Sequence, residues 1–121
     1  MRPIRLLTVA VIASVMLGCG EPQKYTDGKD TVDSFGDGTW TIAKTGGGPD
    51  NPRKLHLYSR ETQEHLSDDL ASWKRSHDWV YALDASGEYI ILNYRTSESG
   101  KYRRVEDAPP EHQLTLRSLR R

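Results

Sequence analysis

The chain contains one cysteine, Cys19, so no disulfide can form within it. A domain built from the roughly one hundred residues that follow must be held together by buried apolar surface. The side chains able to supply that surface stand out: Trp40, Trp73 and Trp79, with Tyr58, Tyr81, Tyr89, Tyr94 and Tyr102. Aromatic rings remove large areas from water, and a domain without disulfides needs such payloads. These rings fall in short runs separated by Gly, Asp, Ser and Pro, which argues for strands and turns over long helices. The length allows one small domain.

The runs alternate in a way that assigns faces. In residues 39–43, Trp40 and Ile42 share one face while Thr39 and Thr41 take the other, after the turn signal Gly36-Asp37-Gly38. Residues 46–52 (GGGPDNP) read as a mobile loop, because glycine is unconstrained and proline cannot donate to a ladder. Residues 54–60 form the next strand, with Leu55 and Leu57 on one face and His56 and Tyr58 on the other. Residues 61–77 are ambiguous. Leu66, Leu70 and Trp73 fit a helical spacing, yet residues 70–75 also fit a strand, and a turn or short helical turn followed by a strand is the favoured reading.

Residues 79–83 (WVYAL) and 89–94 (YIILNY) are the clearest strands, joined by a turn at Asp84-Ala85-Ser86-Gly87. The second is apolar on both faces, so it should be central and covered on both sides. This pair resembles one hairpin of a quinone-type β-propeller blade. A propeller needs four or more blades and this chain has room for barely two, so the likeness implies a hairpin only. Residues 95–100 read as a turn and 101–105 as a charged edge strand. The expected fold is mainly β: a small antiparallel meander of about five or six strands, curled as a sandwich or partial barrel. The β-domain should span residues 32–107, with a flexible tail over 108–121 behind Pro109-Pro110.

The first residues carry a different signal. Arg2 and Arg5 precede an uncharged apolar run over residues 6–17, too short to span about 30 Å of hydrocarbon as a helix. It has the size of a signal-peptide core. The segment Met16-Leu17-Gly18-Cys19 resembles the lipobox of bacterial lipoproteins. That resemblance implies a signal peptide over residues 1–18, diacylglycerol on the Cys19 thiol, and cleavage that leaves Cys19 as the first residue. Residues 19–31 would be a polar, flexible tether. Gly20, rather than Asp, after the cysteine favours the periplasmic face of the outer membrane in a cell that has one. The mature domain resembles small β lipoproteins of unassigned activity, which implies location and architecture alone.

Chemical motifs are sparse. The four histidines, His56, His65, His77 and His112, contain no close ligand pair such as H-x-x-x-H, and no second cysteine completes a zinc set. They read as surface or sheet-edge residues, with no metal and no cofactor. Asp27, Asp30 and Asp33 recur every third residue, which fails the alternate spacing of a calcium loop. Gly46-Gly47-Gly48 lacks the Lys and Ser or Thr of a phosphate loop, and no G-x-S-x-G elbow is present. Neither Asp68-Asp69 nor Glu106-Asp107 can face one another as adjacent residues.

The formal net charge is zero, which with an envelope location argues against nucleic acid as a partner. The remaining candidates for a binding face are His56 and Tyr58, and Tyr102 with Arg103 and Arg104, since Tyr and Arg are enriched at interface hot spots. The expectation is a lipid-anchored, non-catalytic module that binds another envelope protein. A structural accessory of an envelope complex is the alternative, ahead of a small-ligand carrier or an enzyme. The anchor is directly testable: Cys19→Ser should move the protein from the membrane fraction to the soluble fraction. Unchanged membrane retention would sink the lipoprotein assignment.

Overall fold

The computed structural model describes residues 22–120. Cys19, the apolar run before it and the first residues of the expected tether lie outside them. The fold is mainly β, as the alternation implies. Eight antiparallel strands, more than the five or six expected, form two four-stranded meanders in chain order. The first sheet contains β1 (Thr31–Phe35), β2 (Trp40–Thr45), β3 (Lys54–Ser59) and β4 (His65–Ser67). The second contains β5 (Leu70–Ser76), β6 (Trp79–Asp84), β7 (Tyr89–Asn93) and β8 (Glu98–Tyr102). A 3-10 turn at Val105–Asp107 leads into a helix, α1 (Pro110–Arg117).

Period-two alternation sorts the side chains into two cores. The first lies between the sheets and contains Phe35, Trp40, Ile42 and Leu57 from one side and Val80, Ala82, Ile90 and Leu92 from the other. The second lies on the opposite face of the second sheet, where Tyr81, Leu83 and Ile91 meet Val105, Ala108, Leu116 and Leu119. β6 and β7 therefore supply both cores, which is why their sequences are apolar on both faces.

Two indoles tie the sheets together with directed bonds. Trp40 is 1% exposed, and its Nε1–H donates to Ser97 Oγ in the β7–β8 turn at 3.1 Å. The Nε1–H of Trp73, on β5, donates to Asp33 Oδ2, on β1, at 3.0 Å. Each bond satisfies a polar group that packing has removed from water. A third link joins the Ser67 hydroxyl to Asp84. Burial works against charge on Asp84, but hydrogen bonds from Ser67 and Ser86 outweigh it and hold the carboxyl below its ordinary range.

Several details differ from the sequence reading. Residues 65–67 are a strand, and the segment from 61 to 77 has no helical turn, because Leu66 is drawn into the first core and Leu70 starts a strand paired to β6. The last strand starts at Glu98 instead of 101, since residues 98–102 all pair with β7, and Val105 turns inward to cap the second core. The glycine-rich loop is the closed end of the β2–β3 hairpin, with a Gly48–Asn51 bridge. Gly46 has φ +76°, and a Cβ there would lie 2.4 Å from the Pro52 carbonyl oxygen, so only glycine fits.

Neither end of the described chain behaves as a free segment. Lys24 and Tyr25 donate backbone N–H bonds to the Asp37 carbonyl, and Asp27 accepts from Ser34 and Arg60. The expected tail over 108–121 contains α1, whose Leu116 is fully buried. The prolines that look like breakers start the helix: Pro110 occupies its first turn, where a missing N–H costs nothing. His112 on α1 is buried, 2.7 Å from the Tyr81 hydroxyl, and its ring packs 4.5 Å from that of Trp79.

Leu116→Ala should therefore cost about 2–5 kcal/mol of stability, whereas Leu114→Ala, at an 83% exposed position, should change it by less than about 0.5 kcal/mol. Equal denaturation midpoints for the two variants would mean that α1 does not pack. Because Asp84 has a lowered pKa when folded, its stabilisation is complete above the ordinary carboxylate value near about pH 4. It is lost as pH falls through the lower folded value. Ser67→Ala should shrink that acid-labile component in a midpoint-against-pH series, and an unchanged acid limb would refute the link.

Candidate functional site

The outer faces of the two sheets differ. That of the second sheet is covered by the 3-10 turn and α1. On the first sheet, the segment before β1 and the Arg60 side chain lie over one end, where Arg60 bonds to Asp27, Thr31 and Gly38. Beside them lies an open cleft of about 400 Å³. It is bounded by Asp30, Ala43, Lys44, Thr45, His56, Tyr58, Gln63 and His65.

Local chain geometry brings these groups together. His56 and Tyr58 alternate out of β3 while Leu57 and Ser59 point inward. Tyr58 pairs directly with His65 across the β3–β4 ladder. The ladder shifts register between Leu57 and Tyr58, a bulge that places one extra residue in the short edge strand. With it, both Leu66 and Ser67 are buried while His65 remains exposed beside Tyr58. Ala43 pairs with His56 on the other side of β3, and Thr45 stands two residues further along β2 on the same face.

Asp68 completes the group from the corner where the chain leaves the first sheet for the second. One of its oxygens, Oδ1, lies 3.1 Å from His56 Nδ1 and 2.6 Å from His65 Nδ1. Hydrogen bonds from His56, then from His65, hold the Asp68 carboxyl below its ordinary range. The second nitrogen of His56, Nε2, lies 2.7 Å from Thr45 Oγ1. The His65 ring stacks on Tyr58 at 5.0 Å with an interplanar angle of 17°, and meets His56 edge-on at 6.1 Å. Side-chain exposure rises from 19% at His56 to 42% at His65 and 70% at Asp68. His56 is thus the most enclosed of the three and the Asp68 carboxylate the most exposed.

Of the residues singled out in the sequence, His56 and Tyr58 lie in this cleft. Tyr102, Arg103 and Arg104 do not join them. Tyr102 is on β8 in the other sheet, packed against the second core. Arg103 is exposed beside the β6–β7 turn, and Arg104 forms an ion pair with Asp107 at 3.2 Å. His77 is exposed in the β5–β6 turn, and His112 is under the helix. The fold brings together residues that the linear spacing keeps apart: His56, His65 and Asp68 each offer one donor atom, all within 4.8 Å of one another. Hairpin pairing creates the proximity that linear spacing hides. Folding residues 60–63 as a turn, with Ser59 opposite Glu64, sets His65 opposite Tyr58.

No helix among the described residues is long and apolar enough to cross a membrane. Set against known protein families, curated proteins and solved structures, the chain matches none of them.

Proposed function

We propose that this chain is a lipid-anchored protein of the bacterial envelope whose β-domain is a non-catalytic binding module, with the cleft on the first sheet as its contact surface for another envelope protein. One observation carries the reading. The second sheet has its outer face packed against α1, while His56, Tyr58 and His65 stand together in an open cleft on the first sheet. Aromatic and imidazole groups held rigidly on paired strands suit recognition, because little side-chain freedom remains to be lost on binding. The lipobox-like segment supports placement at a membrane surface. The segment from residue 23 to residue 30, bonded along the β1–β2 hairpin, would fix how the domain emerges from its anchor.

A photo-crosslinking amino acid at position 58, in cells, tests the reading. It should give one discrete adduct that positions 103 and 114 do not give, and Cys19→Ser should reduce that adduct. No adduct at position 58, or the same products from all three positions, would count against this face as the contact surface.

A further inference from the structure

We propose that His56, His65 and Asp68 form a binding site for one divalent transition-metal ion of the zinc class. The inference deepens the reading of this cleft as a contact surface and rests on it for its biological role only.

The donor set is two imidazoles and one carboxylate, a combination suited to zinc and its first-row neighbours rather than to calcium or magnesium. Donor atoms about 2.0–2.2 Å from a shared ion stand about 3.0–3.5 Å from one another. His56 Nδ1 and Asp68 Oδ1, 3.1 Å apart, already meet that spacing. His65 Nδ1 and Asp68 Oδ1, at 2.6 Å, need to open by about half an ångström. Asp68 is 70% exposed and on a connection, so its carboxylate can make that shift without moving a strand.

The surroundings supply what ligand histidines require. A metal-bound imidazole normally donates its other N–H to an acceptor that fixes tautomer and ring orientation. Thr45 Oγ1, 2.7 Å from His56 Nε2, can serve as that acceptor. Its hydroxyl can equally donate, so the same contact persists whether His56 Nδ1 carries a proton toward Asp68 or a lone pair toward a metal. The stacked Tyr58 ring holds His65 in its orientation. Three protein donors leave a tetrahedral ion one open position. A donor atom from a docked partner can fill it, so the ion would become part of the contact surface.

Calorimetric titration of the full-length chain in detergent with ZnCl2, and with CoCl2 to read tetrahedral geometry from its visible absorption, tests the site. One equivalent of Zn2+ should bind. His65→Ala and Asp68→Asn should each weaken binding at least ~10-fold, Thr45→Val by about 10-fold, and His77→Asn should leave it unchanged. His65 and Asp68 are exposed enough that their variants should fold, which near-ultraviolet circular dichroism checks on the same samples. A Cys19→Ser chain should retain the ion. No binding, binding indifferent to His65→Ala and Asp68→Asn, or binding lost with Cys19→Ser would each overturn the site. The titration contains no partner, so its failure is separable from a failed crosslink at position 58.

Discussion

The packing of Ile90 and Leu92 against Trp40, Ile42 and Leu57 is the contact on which the rest of the molecule depends. Both sheets are meanders of local hairpins, and a meander alone exposes an apolar face that water penalises. Face-to-face burial removes both faces at once. It also sets the demand on β6 and β7, whose reverse sides remain apolar and must be covered a second time. The 3-10 turn and α1 meet that demand with Val105, Leu116 and Leu119. The helix is thus a consequence of the central strands: its own sequence is short and polar, and it gains stability mainly from the surface it covers.

Apolar packing does not by itself fix how two sheets sit on one another. The indole bonds from Trp40 to Ser97 and from Trp73 to Asp33, and the Ser67–Asp84 contact, do so. Each joins one sheet to the other, and each places a buried or half-buried polar atom where only one relative position satisfies it. A sliding displacement would strand those groups at a cost of about 1–3 kcal/mol apiece. With no disulfide available, these directed bonds provide the specificity that a covalent staple would otherwise give. The edges are handled separately: β4 has only three residues, and β8 carries Glu98 and Lys101, so neither offers a long apolar edge to a second chain.

Much of this architecture was legible because period-two alternation is a local property. Trp40 and Ile42, Leu55 and Leu57, and the two-faced run through Ile90, Ile91 and Leu92 announce their strands and their faces. What escaped was set by distant partners. Residues 65–67 are too few to show a period, and they form a strand only because β3 offers its edge. Leu116 and Leu119 read as a frayed tail until the apolar reverse of β6 and β7 is seen to need covering. Glu98 and Ser99 look like turn residues and are strand residues by pairing alone. The site divides the same way. His56 and Tyr58 were readable as one face of one strand, whereas His65 and Asp68 join them through a bulged pairing and a chain corner that leave no linear spacing to detect.

The polar cluster contributes little to holding the fold. Exposed ion pairs are worth about 0–1 kcal/mol, and Asp68 lies at a corner where no core residue depends on its carboxylate. A hairpin of the same register could carry Thr or Lys at positions 56 and 65 without loss to either core, since both side chains point away from Leu57 and Leu66. Stability therefore does not account for two imidazoles converging on one carboxylate oxygen with Thr45 and Tyr58 restraining the rings. The proposed metal site would account for the matched donors, the restrained rings and the exposed carboxylate beside them. The second sheet needs its outer face for α1, so the first sheet is the one free to carry such chemistry. The cleft beside Asp30, Thr45, His56 and His65 is where the proposed site would sit.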